Sequence, residues 1–294
     1  MTARYPPDGM VERGLVRVLA PNPSPMTAEG TNTFVLGTDE MAVIDPGPAD
    51  PVHLDRIVDI LAGRPVAAVL VTHSHVDHSP GARPLADRVD APVLAFGRSG
   101  AGRSPASAAL PGLGGGEGVQ MDFAPDRTLA DGEVVASDSW SLVAHHTPGH
   151  MANHLSFEWR EARAVFTGDT VMGWASTMIS PPDGELGQFM ASLDRLEALD
   201  ATVFHPGHGG PINMPAARCR ELRAHRQARE RQVLAALDTP ARIPDLVAQL
   251  YAGTPPALHP AAARNVLAHL LHLHQRHLVT AEGAPGPEAI WRRT

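Results

Sequence analysis

The sequence predicts a layered α/β domain followed by a smaller, winged-helix-like helical domain. Three observations carry this prediction. Between residues 14 and 204, short β-prone runs alternate with amphipathic helical spacing, the pattern of sheets covered by helices. Past residue 215 the pattern changes to three helical segments and a closing hairpin, as in a winged helix-turn-helix. The charge balance changes at the same place. Residues 1–215 hold 13 Arg against 26 Asp plus Glu, a formal charge of −13, whereas residues 216–294 hold 11 Arg against 6 acids, a charge of +5. The expected domains are therefore 1–215 and 216–294.

The elements follow in chain order. Residues 14–20 read as a short strand, followed by a proline-rich loop at 21–25. Residues 33–37 and 41–44 are β-prone runs separated by Thr38-Asp39-Glu40, a hairpin signal. The second run stops at Asp45-Pro46-Gly47-Pro48. Leu54, Ile57, Val58 and Leu61 give helical spacing over 51–61. Residues 66–71 form a continuous apolar strand buried on both faces. A short helix at 81–89 and a strand at 92–96 come next. Residues 97–118 are rich in Gly, Ala, Ser and Pro without a period and read as a loop. Strands are expected at 142–147, 155–159, 164–167 and 202–204, with an amphipathic helix at 186–199. Beyond residue 215, helices are expected at 218–237, 243–251 and 261–274, and a hairpin from 278–281 and 289–292.

Composition excludes several classes. With 43% hydrophobic and 19% charged residues, the chain reads as globular rather than disordered. No apolar run approaches the roughly 18 residues of a membrane span, and residues 1–12 do not read as a secretory signal. Cys219 is the only cysteine, so no internal disulfide or thiolate metal cage is expected and a cytoplasmic location follows. The acidic body disfavours broad nucleic-acid binding, while the basic tail leaves it open.

The chemistry is concentrated in Thr72-His73-Ser74-His75-Val76-Asp77-His78, directly after the apolar strand. Imidazole and carboxylate bind borderline metals such as zinc. Alternate residues of an extended segment point to one side, so His73 and His75 can reach one ion. Asp77 and His78 lie past the bend and point towards a second. Three further residues follow strand ends beside glycine: His150 in Thr147-Pro148-Gly149-His150, Asp169 in Thr167-Gly168-Asp169, and His208 in Pro206-Gly207-His208-Gly209. Glycine lets the backbone turn sharply there. Asp45 and Thr72 are candidates to orient the ligands. His154, Thr177 and Ser180 are candidates for substrate contact, the last two on a loop over 172–184 that would cover the cleft. His145, His146 and His205 read as packing or surface residues, and His269, His272, His274 and His277 as part of a polar helix face.

This ordered set resembles the metallo-β-lactamase superfamily over nearly the whole chain. The resemblance implies an αβ/βα sandwich with two divalent metal ions at one edge. His73, His75 and His150 would hold one ion, Asp77, His78 and His208 the other, and Asp169 would bridge them, as in a glyoxalase II-like site. An Asp bridge is similar to superfamily hydrolases of thioesters, lactones and phosphodiesters, whereas the zinc β-lactamases proper usually lack it. Asn22-Pro23-Ser24-Pro25, Gly30-Thr31-Asn32-Thr33, Ile179-Ser180-Pro181-Pro182-Asp183-Gly184 and the winged-helix-like segment look like the β-lactamase-like protein 2 subfamily. Its bacterial members are described as general metal-dependent hydrolases, and an animal member as an endoribonuclease on single-stranded RNA.

The expected activity is hydrolysis of a small ester, thioester or lactone by a metal-bridging hydroxide, with Asp77 also orienting that hydroxide. Zinc suits the donors, and manganese or iron are compatible. RNA is the alternative substrate, with Arg218, Arg220, Arg223, Arg226, Arg229 and Arg231 as phosphate contacts. The C-terminal domain would cap the cleft or form a homodimer surface.

Overall fold

The computed structural model describes residues 9–110, 113 and 118–294. Residues 1–8 of the N-terminal segment, and 111, 112 and 114–117 of the loop expected at 97–118, lie outside the described residues. Seven strands in chain order make the first sheet: β1 (Gly9–Glu12), β2 (Leu15–Leu19), β3 (Asn32–Leu36), β4 (Met41–Ile44), β5 (Val66–Leu70), β6 (Val93–Ala95) and β7 (Arg127–Thr128). Pairing is antiparallel through β4 and parallel from β4 to β7. The crossovers between parallel strands carry α1 (Pro51–Leu61), α2 (Ala82–Val89) and the short α3 (Pro105–Ala108). Helix α1 starts where the Asp50 carboxylate accepts the His53 N–H and Pro51 takes the first helical position, two signals of an N-terminus.

The second sheet runs β12-β11-β10-β9-β8, from β8 (Val134–Ala136), β9 (Ser141–His146), β10 (Leu155–Trp159), β11 (Ala164–Gly168) and β12 (Val203–Pro206). Only β11 and β12 are parallel, joined through α4 (Leu186–Glu197). Phe34, Ile44 and Leu70 from the first sheet meet Leu142, Phe157 and Phe166 from the second in one buried core. The alternate residues Val35, Val43 and Val69 face outward against Leu54 and Ile57 of α1 and Leu85 of α2. Both faces of these strands are covered, which is why their sequence is continuously apolar. Helix α4 covers the outer face of the second sheet through Phe189, Leu193 and Leu196. The result is an αβ/βα sandwich.

Helix α5 (Pro215–Ala235) begins at the compositional break and joins two cores. Cys219 and Leu222 pack with α4, while Val233 packs with α6 (Ile243–Leu250), α7 (His259–Gln275) and the hairpin β13 (Val279–Glu282)–β14 (Ile290–Arg293). That second core has Trp291 fully buried at its centre. Among the described residues, no helix is long and apolar enough to cross a membrane.

Most expected elements are present within a few residues. Strands β1, β7 and β8 were not expected: β7 is exposed throughout and β8 buries only its middle residue, so neither shows an apolar alternation. The polar-face expectation for the C-terminal histidines needs correction at His269, which is buried with neither ring nitrogen hydrogen-bonded among the described residues. The others are dispersed, with His272 on Glu230 and His274 on the Val279 carbonyl.

Burial pushes His269 down to about 3, so the folded chain refuses a proton that the unfolded chain accepts near the ordinary imidazole value of about 6.5. Stability contributed by the neutral ring is complete above that value and falls as pH drops towards 3. Between pH 7 and pH 5 this residue should contribute about 2 kcal/mol of acid destabilisation. Urea unfolding at both pH values should show that difference shrinking in His269→Leu, whereas an unchanged difference would contradict the assignment.

Candidate metal centre

The candidate ligands all come from one edge of the sandwich, where β5, β9, β11 and β12 end. After β5 the chain runs extended through His73 and turns at His75, whose carbonyl accepts the N–H groups of His78 and Ser79. This turn separates His73 and His75 from Asp77 and His78. Potential ligand atoms of His73, His75, His150 and Asp169 lie within 4.8 Å of one another, as do those of Asp77, His78 and His208.

Within the first group, His73 Nε2 lies 2.9 Å from His75 Nδ1, and His150 Nε2 lies 3.0 Å from that same atom. In the second, His208 Nε2 is 3.3 Å from His78 Nε2 and 3.1 Å from Asp77 Oδ2. Asp169 stands between the groups. Its Oδ1 is 3.5 Å from His78, and its Oδ2 is 3.4 Å from His208 and 3.7 Å from His150. Among the described residues, Asp169 Oδ1 is buried without a hydrogen-bond partner, an arrangement that costs free energy unless a cation satisfies it.

The outward-facing ring nitrogens determine what the inward ones can do. His150 Nδ1 donates to the Met178 carbonyl at 2.8 Å, and His208 Nδ1 to the Gly30 carbonyl at 3.1 Å. His78 Nδ1 donates to Asp45 Oδ2 at 2.9 Å. The Thr72 hydroxyl gives its proton to Asp45 Oδ2 at 2.7 Å, so at 3.0 Å it accepts from His73 Nδ1. With these N–H groups turned outward, the Nε2 atoms of His73, His78, His150 and His208 in the neutral rings carry lone pairs aimed at the centre. A single proton on His75 Nδ1 can point at only one of its two neighbours. A divalent cation accepts all three nitrogens, so the donors fit a metal.

Electrostatics divides the two groups. Burial lowers His73 and His150 below the ordinary value and His75 to about 3, leaving all three neutral as ligation requires. Burial also opposes charge on His78, but Asp77, Asp169 and Asp45 outweigh it and hold that ring well above its ordinary value. Against the same burial, Asp169 and Asp77 raise His208 to about 9. Burial would raise Asp77 and Asp169, yet His78 and His208 keep both below the usual carboxylate range. This half of the site demands positive charge, which protons or cations can supply.

Two glycines permit the close approach. A Cβ at Gly207 would stand 2.6 Å from Asp169 Oδ1 and 2.7 Å from His78 Cε1. One at Gly168, where φ is +46°, would stand 2.6 Å from His154 Nε2. Either would displace a ligand or its support.

Two expected substrate contacts need correction. His154 is fully buried, accepts the Asp169 N–H at 3.1 Å and lies against the His73 ring, behind the ligands. Thr177 is also fully buried and donates to the Asp169 carbonyl at 2.7 Å. Both hold the Asp169 backbone and face no cleft. Ser180 is part-buried, and its carbonyl accepts the Gly184 N–H within the loop. The outward contacts through the Gly30 and Met178 carbonyls have no sequence signal, because any residue supplies a carbonyl. Asn32, which donates to the Pro206 and Gly209 carbonyls at 2.9 Å, fixes the His208 loop, and the Gly-Thr-Asn-Thr stretch was its only trace.

Asp45 orients one ring of each group, His78 directly and His73 through Thr72. Its φ of 49° lies in a region that Asn tolerates. Asp45→Asn should therefore preserve the backbone while weakening metal affinity by about 10- to 100-fold. Titration with zinc followed by elemental analysis checks this, and unchanged affinity would contradict the role.

The comparisons with known proteins agree with this geometry. A family model described as the metallo-beta-lactamase superfamily matches residues 26–208, and one described as the beta-lactamase associated winged helix domain matches residues 243–291. A beta-lactamase-like protein 2 homolog of Caenorhabditis elegans is 31% identical over 262 residues, covering 86% of this chain and 81% of that protein. An atrochrysone carboxyl ACP thioesterase of Aspergillus chevalieri is 34% identical over 241 residues, covering 80% of this chain and 70% of that protein. A solved metallo-beta-lactamase family protein from Thermus thermophilus superimposes with a TM-score of 0.77 at 26% identity, covering 97% of this chain and 100% of that one. With its sandwich, its His/Asp cluster and its winged-helix domain, the chain belongs to the metallo-beta-lactamase superfamily of hydrolases.

Proposed function

We propose that the chain is a dinuclear metal-dependent hydrolase acting on a small ester, thioester or lactone, with residues 1–215 as its catalytic body and 216–294 as a C-terminal cap. The observation that carries this reading is the set of ring lone pairs aimed at one centre. His73, His75 and His150 would hold one ion, Asp77, His78 and His208 the other, and Asp169 both. Two divalent cations there would acidify a shared water and polarise the bond under attack. Zinc suits these nitrogen and oxygen donors, and manganese or iron can use the same set.

The chain's own residues do the rest. His73, His78 and His208 are closed off from solvent, whereas the Asp77 side chain is 23% exposed, so substrate approaches from the side of His75 and Asp77. There the Asp77 carboxylate, kept ionised, can accept a hydrogen bond from the attacking water and orient it. For a thioester, the water oxygen forms a new bond to the acyl carbon, the C–S bond breaks, and the thiol leaves with a proton.

Charge favours an acyl substrate over RNA. Five of the six arginines expected to meet phosphates are engaged within the chain. Arg218 holds Glu221 and the Met172 and Ala175 carbonyls, and Arg220 and Arg223 hold Glu197. Arg226 binds the Thr177 carbonyl, and Arg229 binds the Leu250 carbonyl and stacks on Tyr251. The likeness to a protein named as a thioesterase supports thioesters in particular. A cytoplasmic setting fits a chain whose single cysteine is buried.

Metal-loaded protein should release thiol from acyl thioesters. Asp169→Ala should hold one ion instead of two and lose at least about a thousandfold in kcat/KM. Full activity of that variant with two ions bound would contradict the assignment. Cleavage of an unstructured labelled RNA that disappears in Asp169→Ala would move the substrate to RNA.

A further inference from the structure

Between the ligand-bearing loops and the C-terminal domain lies a cavity of about 290 Å³. Its walls include Met26, then Met172, Trp174 and Met178 from the loop covering the site, and Tyr251 and Leu258 from the winged-helix domain. Among the described residues, none lining it carries a charge. Asn265, its amide-bearing residue, spends its oxygen on the Ile179 N–H and on Arg226. Three methionines give it an adaptable apolar surface. Met26, Trp174 and Leu258 are 47%, 40% and 38% exposed, and large apolar side chains left open together mark a ligand surface.

Three of its walls belong to segments that also support the candidate ligands. The Met178 carbonyl accepts the His150 Nδ1–H. Trp174 packs against Gly209, where a Cβ would stand 2.7 Å from the indole Cδ1, and Gly209 adjoins His208. The Met26 loop runs into Gly30, whose carbonyl accepts the His208 Nδ1–H. The cavity therefore borders the segments that hold His150 and His208 from behind. A cavity of about 290 Å³ is large enough to take a medium-length acyl chain.

We propose that this cavity is the acyl pocket, and that the winged-helix domain sets the acyl-length preference through Tyr251, Leu258 and the first turn of α7. This rests on the acyl-hydrolase reading above. The pocket takes the uncharged, apolar acyl portion of an ester or thioester, while the thiol or alcohol portion leaves towards solvent past His75 and Asp77. Cap and specificity element would then be the same domain.

The test uses full-length, metal-loaded protein and a series of N-acetylcysteamine thioesters from acetyl to decanoyl. In the wild type, kcat/KM should climb by up to about fourfold per methylene, then level off near octanoyl as the cavity fills. Ala261→Phe, which fills the cavity from α7, should flatten that climb, and Leu258→Ala should reduce it. Metal content and Tm, measured alongside, separate this from misfolding, which lowers every substrate together. Octanoate binding, followed by Trp174 fluorescence and by calorimetry, should be lost in Ala261→Phe. A wild type that hydrolyses all chain lengths equally, or variants that leave the profile unchanged, would overturn the pocket and leave the hydrolase reading standing. Octanoate binding that responds to Ala261→Phe, without turnover of any thioester, ester or lactone, would keep the apolar site and overturn the acyl-hydrolase reading.

Discussion

Several imidazoles can share one small cleft only when their N–H groups point away from it. Every other feature of the site serves that requirement. Asp45 and Thr72 turn the N–H groups of His78 and His73 outward, and the Gly30 and Met178 carbonyls do the same for His208 and His150. Stripped of protons, the inward face is a set of lone pairs together with two carboxylates, which His78 and His208 otherwise keep ionised by holding protons there. Such a cluster is repulsive by itself, and protons or cations must relieve it.

The fold meets the requirement by placing strand ends together. β11 and β12 are parallel neighbours in one sheet, and a bond from the Leu155 N–H to the Thr72 carbonyl joins that sheet to the end of β5 in the other, beside the candidate ligands. Fully packed strands leave few ways for these ends to move. The C-terminal part takes a direct share. Arg218 and Arg226 of α5 hold carbonyls of the loop whose Met178 orients His150, and Asn265 of α7 holds the same loop at Ile179. Helix α5 and the winged-helix domain in this position brace the loop that orients His150, and Arg218 and Arg226 are spent on the protein itself.

Much of this was legible in the sequence. The apolar run ending in His-Ser-His-Val-Asp-His announced both a buried strand and what it delivers, and glycine next to His150, Asp169 and His208 marked the other strand ends. The residues holding the ligands were legible only in part. Asp45 and Thr72 drew notice because they bear polar side chains at strand ends, but backbone carbonyls such as those of Gly30 and Met178 leave no signature. His154 and Thr177 looked like cleft residues because they neighbour ligands in sequence, yet both side chains turn inward to hold the Asp169 backbone. Side-chain direction past a strand end depends on the turn, which periodicity does not encode. For His269 polarity suggests a surface, while the packing of α7 against α5 puts it inside.

Where cations bind decides whether this cluster is a dinuclear centre. Anomalous diffraction from crystals of the zinc-loaded chain tests this most directly. Two peaks are expected, one bonded to His73 Nε2, His75 Nδ1 and His150 Nε2, the other to Asp77, His78 Nε2 and His208 Nε2, with Asp169 touching both. A single peak, or peaks among the C-terminal histidines with this cluster empty, would contradict it.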